Sequence, residues 1–297
     1  MYAEFLDNAV FAVVGGDLRQ ARLANALAVS GYKVWGIRFN TEVYISDAVM
    51  RTDDLERGLS ESNVIILPLP ATLDGKTVNS VLSAEPPELA DCVRFARSDA
   101  VILGGMLSEK FAALAEKCGI AAVDYAKREE FAVLNAVPTA EGAVGIAMAE
   151  RPSVIRGSRC LVAGYGRVGR ALASLLQAMG AAVSVSARKP RDLAAIATAG
   201  MEPVHISELA GHAGEYEIIF NTVPAMIFGE DILKALRRDC LVIDLASKPG
   251  GVDFGMAKRL GLRAVWALSL PGKVAPITAG DIIKDTVLNI LRERRTS

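Results

Sequence analysis

The segment Cys160-Leu-Val-Ala-Gly164-Tyr-Gly166-Arg-Val-Gly169-Arg-Ala-Leu-Ala constrains the fold more than any other part of this sequence. A short apolar run, Cys160 to Ala163, reads as a buried strand. It breaks into Gly-x-Gly-x-x-Gly, continues as an Ala- and Leu-rich helix from Val168 to Met179, and is followed by a second apolar run, Ala182 to Ala187. Strand, turn, helix and strand in that order are the setting in which this glycine spacing means dinucleotide binding. Gly164 permits the tight turn, Gly166 lets backbone N–H groups approach a pyrophosphate, and Gly169 lets the helix pack closely on the strand. Arg167 and Val168 complete the loop and belong to the same expected cofactor site. The pyrophosphate charge would rest on the unpaired N–H groups at the helix N-terminus.

The end of the second strand narrows the cofactor. A dinucleotide site for NAD usually places an Asp or Glu there, about 20 residues past the glycines, to bond the ribose 2′-hydroxyl. This chain has Val185-Ser186-Ala187-Arg188-Lys189-Pro190-Arg191, with no acid. A hydroxyl and a guanidinium suit a 2′-phosphate, which a carboxylate would repel. Ser186, Arg188 and Lys189 therefore point to NADP, with NAD as the weaker ligand; the alternative is a solvated basic loop ahead of a helix.

With 297 residues and 52% hydrophobic content the chain has material for two cored domains. A formal charge of −1 gives no general attraction to nucleic acid or to an anionic membrane. Cys92, Cys118, Cys160 and Cys240 form no CxxC pair and read as thiols of a reducing cytoplasm, not metal ligands. No leader-like N-terminus and no long uninterrupted apolar stretch is visible, so a soluble cytoplasmic protein is expected.

Strands are expected at Val10 to Gly15, Lys33 to Ile37, Asn63 to Leu67 and Ala100 to Leu103, with helices at Arg19 to Val29 and Glu109 to Cys118. Past the glycine segment, strands are expected at Ile218 to Asn221, Leu241 to Leu245 and Arg263 to Ala267. This alternation predicts an α/β fold of two doubly wound, Rossmann-like parallel-sheet domains. Two interdomain helices, Thr139 to Glu150 and Ala279 to Arg292, would join them, with hinges at Pro138 and Pro276. The first domain would span residues 1–138, completed by the C-terminal segment 279–297, and the NADP domain residues 139–278. A cleft between the lobes would hold the active site.

Thr139-Ala-Glu-Gly-Ala-Val-Gly-Ile-Ala-Met and Leu241-Val-Ile-Asp-Leu-Ala-Ser-Lys-Pro-Gly-Gly251 resemble the interdomain helix and a late strand and loop of the D-2-hydroxyacid and alanine dehydrogenase group. The catalytic pieces of a hydroxyacid dehydrogenase are missing. Ser247 stands where that family has its substrate arginine, and Pro271-Gly272 where it has Pro-His. His205 and His212, the two histidines, read as surface or capping residues. A closer resemblance runs from residue 14 to 280 through Val14-Gly-Gly-Asp17-Leu-Arg19-Gln20, Leu67-Pro-Leu-Pro70, Asn135-Ala-Val-Pro-Thr139-Ala-Glu141-Gly142, Asn221-Thr-Val-Pro224, Asp244 to Asp253 and Leu270 to Gly280. These six motifs are similar to the A-subunit family of dipicolinate synthase. The resemblance implies an NADP-dependent oxidoreductase acting on a CH–CH bond, in the mother-cell cytoplasm of a sporulating bacterium. It would oxidise dihydrodipicolinate, on a branch of the lysine pathway, to pyridine-2,6-dicarboxylate. It also implies that the partner is a smaller, flavoprotein-like B subunit, in a homo- or hetero-oligomer.

A heterocyclic dicarboxylate needs cations or N–H donors at its carboxylates, because desolvating a bare carboxylate is costly. Arg19, at the opening of the first helix, is a candidate ligand, with a water-facing side chain as the alternative. Asp17 is either the N-cap of that helix or a proton acceptor, and its charge argues against a second dinucleotide in the N-terminal lobe. Ser247 and Lys248, after the Leu241–Leu245 strand, and Lys273, at the next strand's exit, are further substrate ligands, though Lys248 also suits an exposed loop. Thr139 is either a ligand or the cap of the bridging helix, and Glu141 shares with Asp17 and water the role of proton acceptor. Asn221, Thr222, Val223 and Pro224 would line the cofactor, and no metal is expected. Aromatisation drives the reaction, so alignment of donor carbon and nicotinamide is the main task of the protein. Two other functions compete: an NADP-dependent amino- or imino-acid dehydrogenase of alanine dehydrogenase type, and a non-catalytic NADP-binding protein.

Overall fold

The computed structural model describes residues 8–83 and 85–294. Residues 1–7 of the expected first domain, and 295–297 of its C-terminal segment, lie outside the described residues. The chain divides into two compact units, residues 1–134 with 275–297, and residues 135–274.

The first unit opens with β1 (Val10–Val14), α1 (Leu18–Val29), β2 (Lys33–Ile37), β3 (Met50–Thr52), α2 (Leu55–Ser60) and β4 (Val64–Ile66). It continues through α3 (Asp91–Arg94), β5 (Val101–Gly104), α4 (Glu109–Lys117) and β6 (Ala121–Asp124). Its six strands lie in the order β3-β2-β1-β4-β5-β6, all parallel. A parallel sheet needs both faces covered, which is why β1 reads Val-Phe-Ala-Val-Val without polar alternation. Phe11 and Val13 pack on one side with Leu23, Leu27 and Ile283; Ala12 and Val14 pack on the other with Leu59, Leu67 and Ile102. Arg22 clamps Asp281 of the C-terminal helix at 2.9 Å.

Helix α5 (Glu129–Glu150) starts in the first unit and passes into the second. The helix therefore begins ten residues before Thr139, and Pro138 lies inside it rather than at its start. Thr139 is thus no N-cap: its hydroxyl donates to the Asn135 carbonyl one turn back, at 2.8 Å. By length and composition α5 would suffice to cross a membrane, with a mean hydropathy of 1.4 over its most apolar window. Its Ala140, Ala143, Val144 and Ala147 are instead buried in the core of the second unit.

The second unit holds β7 (Arg159–Ala163), α6 (Arg167–Ala178), β8 (Ala182–Ala187), α7 (Pro190–Thr198), β9 (Glu202–His205) and α8 (Leu209–His212). There follow β10 (Ile218–Asn221), α9 (Glu230–Ala235), β11 (Leu241–Asp244), α10 (Phe254–Arg259), β12 (Arg263–Trp266) and α11 (Leu270–Val274). Its sheet order is β12-β11-β10-β7-β8-β9, again parallel throughout. Cys160 and Val162 face Leu172, Leu176 and Val185; Leu161 and Ala163 face Phe228, Leu233 and Val242. The last helix, α12 (Pro276–Glu293), returns to the first unit with proline in its first turn, where a missing N–H costs nothing. Both units are thus α/β Rossmann-like sheets, and the edge strands β3, β6 and β9 were not legible as apolar runs.

Candidate functional site

In the second unit β7 delivers the glycine loop to the carboxyl edge of the sheet. Gly164 sits at φ +99°, a left-handed conformation that excludes side chains. A Cβ there would stand 2.6 Å from Thr222 Oγ1, itself fixed by a 2.8 Å bond to the Ala163 carbonyl. A Cβ on Gly169 would come within 2.1 Å of the Gly164 carbonyl oxygen, so α6 can approach β7 only with glycine there. Gly166 differs from both. It is the N-cap of α6, no side chain caps it, and a Cβ built on it meets nothing within 4 Å. Open space in front of uncapped helix N–H groups is the space a pyrophosphate fills.

The matching helix of the first unit is closed in the way α6 is open. Asp17 caps α1, accepting from the Arg19 N–H at 3.0 Å. The same carboxylate takes the Arg19 guanidinium, Nε at 3.0 Å and Nη2 at 2.7 Å. Nη2 also donates to the Leu69 carbonyl at 2.6 Å, and Arg19 is only 8% exposed. Gly16 N–H is taken by Ser80 Oγ at 3.0 Å. A carboxylate already on the helix end excludes a phosphate by charge and by occupation. Arg19 is therefore neither turned to water nor free to move; two of its nitrogens are committed, and Nη1 has no hydrogen-bond partner among the described residues. Asp17 is engaged both as cap and as ion partner.

At the tip of β8, Ser186 is 1% exposed and its Oγ has no partner among the described residues. Its backbone faces the glycine loop through the Gly164 N–H, at 2.9 Å to the Ser186 carbonyl. The hydroxyl is on the face of β8 opposite to Val183, Val185 and Ala187, which pack in the core of the second unit. Arg188 and Lys189 follow on the surface, exposed, at the start of α7. Arg167 is exposed and Val168 half-buried at the first turn of α6. Arg170 lies over the Tyr165 ring at 4.8 Å and bonds its carbonyl at 3.1 Å, bracing the glycine loop.

Beyond β10, Asn221 is fully buried and its side chain is consumed by Val223 (Nδ2 to O at 3.0 Å, Oδ1 from N at 3.2 Å) and by Asp244 at 2.8 Å. It shapes the Thr222-Val223-Pro224 turn. Ser247 and Lys248 lie exposed on the loop after β11. Lys273 is exposed too, but in the short helix α11, not at a strand exit. Gly142 of α5 packs against Leu270 and Val274, which sets Thr139, half-buried, and Glu141, exposed, on the helix beside α11. Burial pushes the thiols of Cys92, Cys160 and Cys240 up to about 12, so none is a nucleophile at neutral pH. His205 caps the turn after β9 through Ser207, and His212 bonds Glu215 at 3.1 Å.

The long-range partners that close this helix end were not legible: Leu69 lies 50 residues from Arg19, and Ser80 lies 64 residues from Gly16. Asp244 lies inside one of the six motifs, where sequence reasoning gave it no role. An acid at a strand end that should face a cofactor was the available signal.

Residues 10–126 match the family described as the N-terminal domain of the dipicolinate synthase A subunit. Residues 139–247 match D-isomer specific 2-hydroxyacid dehydrogenase, NAD binding domain. The chain is 33% identical over 283 residues, 95% of either protein, to the A subunit of dipicolinate synthase from Bacillus subtilis (strain 168). The crystal structure of the dipicolinate synthase A subunit from Bacillus halodurans is similar with a TM-score of 0.88 at 32% identity, covering 95% of this chain and 97% of that one. An L-alanine dehydrogenase shares the fold at 12% identity and a TM-score of 0.67, over 97% of this chain and 90% of its own.

Proposed function

This chain belongs to the A-subunit family of dipicolinate synthase, and we propose that it performs the NADP-dependent oxidation of dihydrodipicolinate to pyridine-2,6-dicarboxylate. The observation that carries this reading is the pairing of an open helix end at Gly166 with an acid-free strand end at Arg188. The Gly164–Gly169 loop would hold the pyrophosphate, and Arg188 with Lys189 the 2′-phosphate; Ser186 supports this only through its backbone. When bound, the cofactor accepts a hydride, so that one dihydro substrate and one NADP⁺ yield one pyridine, one NADPH and one proton.

The residues of the chain orient and neutralise. Arg19, held flat by Asp17 and the Leu69 carbonyl, offers its remaining amino group to one carboxylate. In the second unit Thr139, Ser247, Lys248 and Lys273 are the proposed substrate ligands. Glu141, exposed and without an ion pair among the described residues, is the proposed proton acceptor, since Asp17 is already engaged by Arg19. The partner is a second, flavoprotein-like subunit, and the setting the mother-cell cytoplasm of a spore-former.

The test is an anaerobic assay with freshly prepared dihydrodipicolinate, following NADP⁺ reduction and pyridine absorbance together, with and without the B subunit. Equal rates of the two signals are expected. Pyridine appearing at the spontaneous rate alone, with no NADPH in either arm, would leave the rival reading of a non-catalytic nucleotide-binding protein.

A further inference from the structure

Asn221 ends β10 and Asp244 ends β11, side by side in register and both fully buried. The Asp244 carboxylate accepts three hydrogen bonds: from Asn221 Nδ2 at 2.8 Å, from Ala246 N at 3.0 Å and from Gly251 N at 2.8 Å. All three donors are neutral, and no Lys, Arg or His pairs with Asp244 among the described residues. A carboxylate that only accepts is satisfied by N–H groups, yet its charge is not cancelled. Lys248 is the one cation between Leu245 and Asp253, and it is exposed, where water screens it. A buried charge is screened far less.

The position of this anion matters. In a doubly wound sheet the half that follows the glycine fingerprint, here β7 to β9, takes the adenosine side of a dinucleotide. The other half, β10 to β12, takes the nicotinamide side. The oxidised nicotinamide ring is a cation; the reduced ring is neutral. We infer that Asp244 discriminates between them, its fixed negative charge favouring the oxidised cofactor and easing release of the reduced one. This rests on the dinucleotide reading above and deepens it, since it assigns to one residue the choice of cofactor redox state. The loop Ala246–Gly251, tied to the same carboxylate, keeps the charge dry.

The experiment is a calorimetric titration of the full chain with NADP⁺ and, separately, NADPH. The wild-type protein should bind NADP⁺ at least as tightly as NADPH; a preference for NADPH overturns the inference without any variant. In Asp244→Asn the ratio Kd(NADPH)/Kd(NADP⁺) should fall by about threefold to thirtyfold, the range of one charge acting across a protein interior. The double variant Asn221→Asp/Asp244→Asn moves the charge across the pair and should restore the ratio to within about threefold of wild type. A merely structural role predicts parallel loss of both affinities and an unchanged ratio, and that result sinks the inference. Titration with NAD⁺ and NADH separates the two readings. Binding of that pair alone overturns the 2′-phosphate assignment while the same ratio still tests Asp244, and if neither pair binds both readings fall.

Discussion

Replacing Gly166 with Ala is expected to leave the protein folded and to cripple dinucleotide binding, whereas Gly169→Ala should do harm to the fold itself. Gly166 has φ −78° and ψ −166°, which alanine adopts freely, and its added Cβ meets nothing within 4 Å. Alanine is a poorer N-cap than glycine by about 0.5–1 kcal/mol. Its stiffer unfolded chain offsets about 0.4–1 kcal/mol of that. The net is near zero, a Tm change of less than about 3 °C. The methyl group, however, stands where the pyrophosphate must approach, and an overpacking cost of about 1.4–3 kcal/mol is a tenfold to hundredfold loss of affinity. At Gly169 the Cβ falls 2.1 Å from the Gly164 oxygen and 2.9 Å from its carbon. Backbone atoms cannot swing aside, so about 1–3 kcal/mol of stability should go. Thermal melting with calorimetric titration of NADP⁺ reads both quantities on both variants. Wild-type NADP⁺ affinity in Gly166→Ala, or a melting point as low as that of Gly169→Ala, would refute the argument that this space belongs to a phosphate.

Arg188→Asp should weaken NADP⁺ by about tenfold to hundredfold, the loss of one charge-assisted contact, and spare or improve NAD⁺; equal affinity of the parent protein for the two cofactors would end the 2′-phosphate assignment. Lys248→Ala and Lys273→Ala should raise the substrate KM while NADP⁺ affinity stays within about threefold; steady-state kinetics showing the reverse would place these lysines on the cofactor. Arg151, 2.8 Å away, and the Arg159 N–H hold the Glu217 carboxyl below the usual carboxylate range. A depressed folded value means that the stability it contributes is present above the unfolded carboxylate pKa, about 4.3, and is lost as pH falls through the folded one. The Tm gap between wild type and Glu217→Gln should therefore be widest at neutral pH and close in acid, and a gap independent of pH would contradict it.

The two-sheet α/β architecture was legible because parallel strands buried on both faces must read as unbroken apolar runs, and Val10–Val14, Cys160–Ala163 and Ile218 to Phe220 do. The glycine loop was legible for a related reason. Its requirements are local, a left-handed turn at Gly164 and a close approach at Gly169, and only one residue type meets them. The edge strands Met50–Thr52, Ala121–Asp124 and Glu202–His205 escaped, since they are short and, Val204 apart, half-buried or exposed, and are held chiefly by pairing with an inner neighbour. The true start of the bridging helix escaped because proline and a Thr-x-Glu pattern are good helix-start chemistry, while tertiary burial of Phe131 and Ala136 carries the helix through them. Side-chain orientation was the larger gap. Sequence placed Ser186, Asn221 and Arg19 at strand and helix ends, but whether each points to ligand or to protein depends on partners such as Leu69, Val223 and Asp244, brought close only by the fold. Residue type and spacing determine which backbone shapes are allowed. Which polar atoms remain free for chemistry is decided by long-range packing, because a buried donor or acceptor takes whatever partner the tertiary structure supplies.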